Sequence, residues 1–163
     1  MRVFRSLALA SLVLVAVACT SDDDPTPSIS AADALTAIVD WQAGRAGPPA
    51  TDAALPVIYV TSEAGTTIDA GTQAKVAGNT VDVAKVRFAD ARDDAVNSDV
   101  EGEPVRDDGV LLIVDELDGK GVTQMPVGVT VYRDSTDEQH LVLTVAATDD
   151  RAEVTASAAR PSG

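Results

Sequence analysis

The sequence predicts an α+β domain: an N-terminal helix packed on a curved, mostly antiparallel sheet, with an immunoglobulin-like β-sandwich as the alternative. Three observations predict it. Leu35, Ile38, Val39 and Gln42 recur at i, i+3, i+4 and i+7, the period of one helix face. Later the period drops to two, in Val127, Val129 and Val131 and again in Leu141, Leu143 and Val145. Turn-rich stretches such as LDGKG, DSTDEQ and TDD separate those runs. Helix first and strands last is the order of an α+β chain.

Residues 1–18 read as a signal peptide. Arg2 and Arg5 form a basic start, and Ser6 to Ala18 carries no charge and is rich in Leu, Val and Ala. This run is shorter than the ~20 residues that cross a bilayer. It ends at Ala16-Val17-Ala18-Cys19, where Cys19 is the chain's single cysteine. Small-x-small before the cut suits an ordinary signal peptidase. The same residues followed by Cys19 resemble the lipobox of bacterial lipoproteins, with Ala16 where Leu is commonest. The resemblance implies cleavage between Ala18 and Cys19, and a diacylglyceryl group on the Cys19 sulfur. A free thiol at an exposed N-terminus would be a reactive orphan in an oxidising compartment, whereas a thioether to lipid removes it. Two acyl chains are what stable anchoring takes, so no basic amphipathic helix is required. The expected location is the extracytoplasmic face of the cell membrane, with the membrane contacted through the lipid alone.

Residues 19–29 form the lipidated cysteine and its tether. Three consecutive Asp, Pro25 and Pro27 cannot bury apolar area. In polyproline geometry, Thr20 to Ser30 spans ~34 Å at ~3.1 Å per residue. Asp22 to Asp24 read as solvated charge.

Residues 30–163 make one domain. With Arg2 and Arg5 removed, 10 basic side chains face 26 acidic ones, a net of −16. Such a domain is repelled by nucleic acid and by anionic headgroups, which leaves a basic protein partner or a small ligand as the expected company. Ser30 is an N-cap with Asp33 in capping-box position, and Gly44 stops the helix. Residues 56–62, PVIYVTS, are a strand. A short helix is expected from Asp69 to Ala77, ended by Gly78-Asn79. In TVDVAKVRFADAR the apolar phase slips near Ala84-Lys85, the mark of a strand with a β-bulge. Asp108-Gly109 turns into the LLIV strand, apolar enough to be covered on both faces. MPVGVTVYR, HLVLTVAA and RAEVTASA complete the sheet, the last at an edge. This order, α-β-α followed by five strands, loosely resembles the NTF2-like and cystatin-like folds. The likeness is one of element order and implies a helix lying on a curved sheet.

Chemistry is scarce. His140 is the single histidine and reads as a surface residue at a strand start, although Asp137 and Glu138 stand close in sequence. DELDGKG, 115–121, resembles a calcium loop but fails the EF-hand spacing: with Gly119 at position 6, Val114 and Met125 fall where oxygen ligands belong. Asp115 and Asp118 are therefore assigned to a turn. Asp93-Asp94, Asp107-Asp108 and Asp149-Asp150 are adjacent pairs, which on a strand point to opposite faces. Trp41 reads as packing against the helix face. No catalytic residue, metal or cofactor is assigned, and the expected role is a non-catalytic binding or accessory protein. The alternative is a small hydrolase, or a ligand pocket in the concave sheet face, built from Asp and Arg.

Overall fold

The computed structural model describes residues 28–46, 55–63, 66–117 and 121–161. Cys19, Ala18 and the rest of the signal and tether lie outside the described residues. The architecture is α+β: one mixed six-stranded sheet with the helices Ala31–Arg45 and Ala70–Asn79 on one face and the short helix Arg92–Ala95 on the other. A single sheet, not two, sets aside the sandwich.

Helix α1 spans Ala31–Arg45. The Ser30 hydroxyl accepts from the Asp33 N–H at 3.2 Å, and the Asp33 carboxylate accepts from the Ser30 N–H at 3.1 Å, so two orphan amides are satisfied reciprocally. The helix runs through Gly44 by one residue. Leu35, Ile38, Val39 and Gln42 are buried as their spacing requires, and Ala32, Ala34 and Ala37 lie buried on the same helix. The fold starts one step earlier, at Ile29: its side chain is in the core and its N–H donates to the Val122 carbonyl at 3.0 Å.

Strand β1, Val57–Ser62, leads into helix α2, Ala70–Asn79, and then strand β2, Lys85–Phe88. Asp69 caps α2 by accepting from the Thr72 N–H at 3.0 Å. Thr80, not Gly78-Asn79, ends it: the buried Thr80 hydroxyl donates to the Val76 carbonyl at 2.8 Å. The expected bulge near Ala84 is absent. Val81 and Val83 are 62% and 40% exposed, and residues 80–84 form a turn closed by the Thr80 carbonyl. The phase slip marks where a strand begins, not a fault within one. Register shifts do occur farther on, at Tyr132/Asp134 and at Thr144/Val145.

A four-residue helix α3, Arg92–Ala95, and a 3-10 turn, Arg106–Asp108, precede strand β3, Val110–Val114. Strands β4, Gln124–Asp134, β5, Asp137–Ala147, and β6, Ala152–Ala159, follow as an antiparallel meander. The sheet order is β2-β1-β3-β4-β5-β6. Pairing is antiparallel from β3 onward, but β1 runs parallel to both β2 and β3. That parallel half was not foreseen. The β1-α2-β2 crossover needs a connecting helix, and α2 supplies it. The Asp108-Gly109 turn accordingly delivers the chain into β3 without forming a hairpin.

Two cores result. Ile58, Val60, Leu112, Val114, Val127, Val129, Leu143 and Val145 pack under α1 and α2. On the other sheet face Tyr59, Leu111 and Tyr132 meet Ala95, Val96 and Val105 from the 89–108 segment.

Candidate functional site

The chain leaves β1 toward β2 on one side, while β3 lies parallel on the other, so the carboxyl ends of β1 and β3 form a topological switch point. Open sheets of parallel strands bind ligands at such points. Here a cleft of about 180 Å³ opens between the strand ends and the starts of α1 and α2. Leu35, Val114, Ile68 and Leu117 give it an apolar floor; Ser62, Thr66 and Thr72 supply hydroxyls; Asp69, Asp115 and Glu116 supply the charge. The Ser62 and Thr66 hydroxyls lie 2.9 Å apart and share a hydrogen bond. The Thr72 side chain and backbone hold the Asp69 carboxyl below its usual range.

Behind the cleft, on the sheet face away from α1 and α2, Arg160 reaches across the strands. Its guanidinium pairs with the Asp115 carboxylate and stands 3.8 Å from that of Glu63. Gly128 makes this crossing feasible, because a Cβ there would land on the Arg160 guanidinium and the Asp115 carboxylate. Glu63 is raised above its ordinary value by its hydrogen bond to Asp115 and by that neighbour's charge, with Arg160 and His140 pulling the other way. The protonated form is thus favoured on folding. Its contribution to stability is full below the unfolded value and is lost as pH rises through the folded one.

Glu63 and Asp115 are the converging carboxylates that the sequence did not disclose. Adjacent acid pairs were the only ones visible there, and those separate: Asp94 accepts from the Ala91 N–H at 3.1 Å, while Asp107 turns to Tyr59 and Arg87. The usable signal was the parallel register that aligns Ser62 with Val114, which puts the next residue of each strand side by side. His140 is 56% exposed, with Nδ1 2.9 Å from the Thr130 hydroxyl and Nε2 3.2 Å from Glu138. Trp41 is half-buried, with the Arg45 guanidinium 4.7 Å over its ring. Asp115 stands in the site just described, whereas Asp118 lies outside the described residues. Among the described residues no three His, Cys, Asp or Glu side chains gather as metal ligands, and no helix is long and apolar enough to cross a membrane.

Two outcomes follow from the Arg160 crossing. In Gly128→Ala the clash falls on the far ends of two flexible side chains, so the ion pair swings away at a stability cost within about 1 kcal/mol, the ceiling for exposed pairs. Arg160→Ala removes the charge that lowers Glu63, so the Glu63 midpoint rises further. A carbon-13 carboxyl titration reads this directly, and an unchanged or lower midpoint contradicts it.

Comparison of the chain with protein-family models, with curated proteins and with solved structures finds no match.

Proposed function

We propose that the chain is an extracytoplasmic lipoprotein, held at the cell membrane by a lipid on Cys19, whose domain binds a basic protein partner rather than catalysing a reaction. The observation that carries the binding role is the cleft at the carboxyl ends of β1 and β3. Its volume, about 180 Å³, is below the ~300–1,000 Å³ of drug-sized ligand sites. It suits one inserted side chain, and an apolar floor rimmed by Asp69, Asp115 and Glu116 suits the stem and head of a lysine or arginine. Ala31 lines this cleft and Ile29 begins the core, so the tether joins the fold at the same end. A partner within the tether's ~34 Å of the bilayer is the natural occupant.

A photo-reactive residue at Thr67, in the cleft wall, should cross-link a basic protein in the native envelope, and Glu116→Lys should abolish the product. The same group at Val81, exposed beyond the far end of α2, should not give it. Equal cross-linking from both positions, or indifference to Glu116→Lys, removes the support. A second reading, a small hydrolase using Asp and Arg, draws on the convergence of Glu63 and Asp115 beside Arg160. Glu63→Gln separates the two: it spares cross-linking at Thr67 if the pair is structural, and it would silence any hydrolytic activity.

A further inference from the structure

We propose that Arg87 and the Tyr59 hydroxyl form a receptor for the carboxylate of a ligand, and that the protein's own Asp107 fills that receptor in this structure. The site lies on the sheet face away from α1 and α2 and does not depend on the cleft at the strand ends.

Tyr59 and Arg87 are register partners in the parallel β1/β2 pair, so their side chains rise together from one face. Tyr59 is buried in the second core and lines the cleft beside it. That hydroxyl donates to Asp107 Oδ2 at 2.8 Å; Arg87 Nη1 donates to the Tyr59 oxygen at 2.7 Å and also to Asp107 Oδ2. One carboxylate oxygen thus takes two convergent donors, one of them a guanidinium, and a charge-assisted hydrogen bond of this kind is about twice as strong as a neutral one. The phenol and the guanidinium hold Asp107 below its usual range, so the bound group is the anion.

The segment that delivers Asp107 is built under conformational tension. Glu103, Asp107 and Asp108 have φ of 46°, 58° and 51°, three non-glycine residues in the left-handed region within one short segment. Aspartate tolerates this region better than most residues, yet such clusters gather at ligand clamps and switches. The turn's base is firm: the Gly109 N–H donates to the Arg106 carbonyl at 3.0 Å, and a Cβ at Gly109 would stand 2.9 Å from the Val57 carbonyl. The Asp107 side chain is half exposed. It can leave without unpacking a core residue.

Space for a replacement adjoins it. A cleft of about 550 Å³ runs past Arg87, Phe88, Asn97 and Arg106. Arg106 spends its Nε on the Val96 carbonyl at 3.2 Å. Its charge remains on the cleft. Asp94 is committed to the Ala91 N–H. With Asp107 displaced, two guanidiniums face one capped carboxylate, so this corner of an acidic protein favours an anion. The ligand is either a small carboxylic acid or a peptide chain end.

The test uses the full chain in detergent micelles, with acetate, the dipeptide Ala-Ala and its C-terminal amide as probes, read by calorimetry and by the Arg87 Nε–H resonance. Asp107→Gly removes the internal carboxylate and keeps the left-handed turn; Asp107→Asn serves as a second form. An internal ligand competes at an effective concentration of millimolar order or above, so both variants should bind acetate about tenfold more tightly than the unsubstituted chain. Adding Arg87→Gln should erase the gain. Tighter binding of Ala-Ala than of acetate assigns the site to chain ends, and equal binding assigns it to small acids. If both variants bind acetate no better than the unsubstituted chain, or if the amide binds as well as the acid, the receptor does not exist.

Discussion

Tyr132→Ala should lower the free energy of unfolding by about 3–5 kcal/mol, the range for removing a buried aromatic ring. Tyr132 is 1% exposed and stands at the centre of the second core, against Ala95, Val96, Val105 and Leu111. Its hydroxyl donates to the Glu103 carbonyl at 2.8 Å, and the Arg92 guanidinium lies 4.5 Å over the ring. The 89–108 segment has little regular structure beyond α3, the 3-10 turn at Arg106–Asp108 and a single bridge, Val96 to Val105. It is held to the sheet by what packs on Tyr132 and Tyr59 and by a few backbone hydrogen bonds, such as that from the Val105 N–H to the Arg133 carbonyl at 2.8 Å. Tyr132→Phe keeps the ring and loses one hydrogen bond, so it should cost only about 0.5–1.5 kcal/mol. Denaturant melts at constant m-value measure both. Hydrogen exchange should show residues 96–105 opening first in the alanine variant. A loss below about 1 kcal/mol for Tyr132→Ala would falsify the assignment of Tyr132 as the anchor of this segment.

Cys19→Ala should shift the protein out of the lipid-anchored membrane fraction into soluble or unprocessed forms. The lipobox-like Ala16-Val17-Ala18-Cys19 implies two acyl chains on one sulfur, and the net charge of −16 on the chain after residue 18 is repelled by anionic lipid. Cell fractionation should show the substituted protein soluble or unprocessed. Mass spectrometry of the unsubstituted protein should find a mature chain that begins at Cys19 and carries the lipid mass. A mature chain starting at Cys19 with a free thiol overturns the anchor, whatever the fractionation shows.

Much of the fold was legible because local chemistry determined it. Ser30 and Asp33 marked the start of α1, and the alternation of Val127, Val129 and Val131 marked β4. Leu111 and Leu112 are both fully buried, as a strand covered on two faces must be. The parallel pairing of β1 was not legible, because no turn residue announces a neighbour that arrives fifty residues later. The candidate site was hidden for the same reason. Glu63 and Asp115 each look like an ordinary acid after a strand, and only the register of β1 on β3 makes them a pair. Arg160 was equally silent, since its partners depend on a glycine two strands away. Val81 and Val83 misled in the opposite direction: two valines on one apparent strand face are exposed on a turn.

Helix α1, the first element of the domain, packs chiefly against β6, the last. In the proposed export of the chain from its N-terminus, α1 emerges long before residues 152–159 arrive to pack against it. Ala152 and Val154 of β6 pack against the main core, so that core is incomplete until β6 has emerged. Premature folding, which would jam translocation, is disfavoured by this closure of first element on last. The cost is a window after emergence in which the apolar face of α1 waits uncovered.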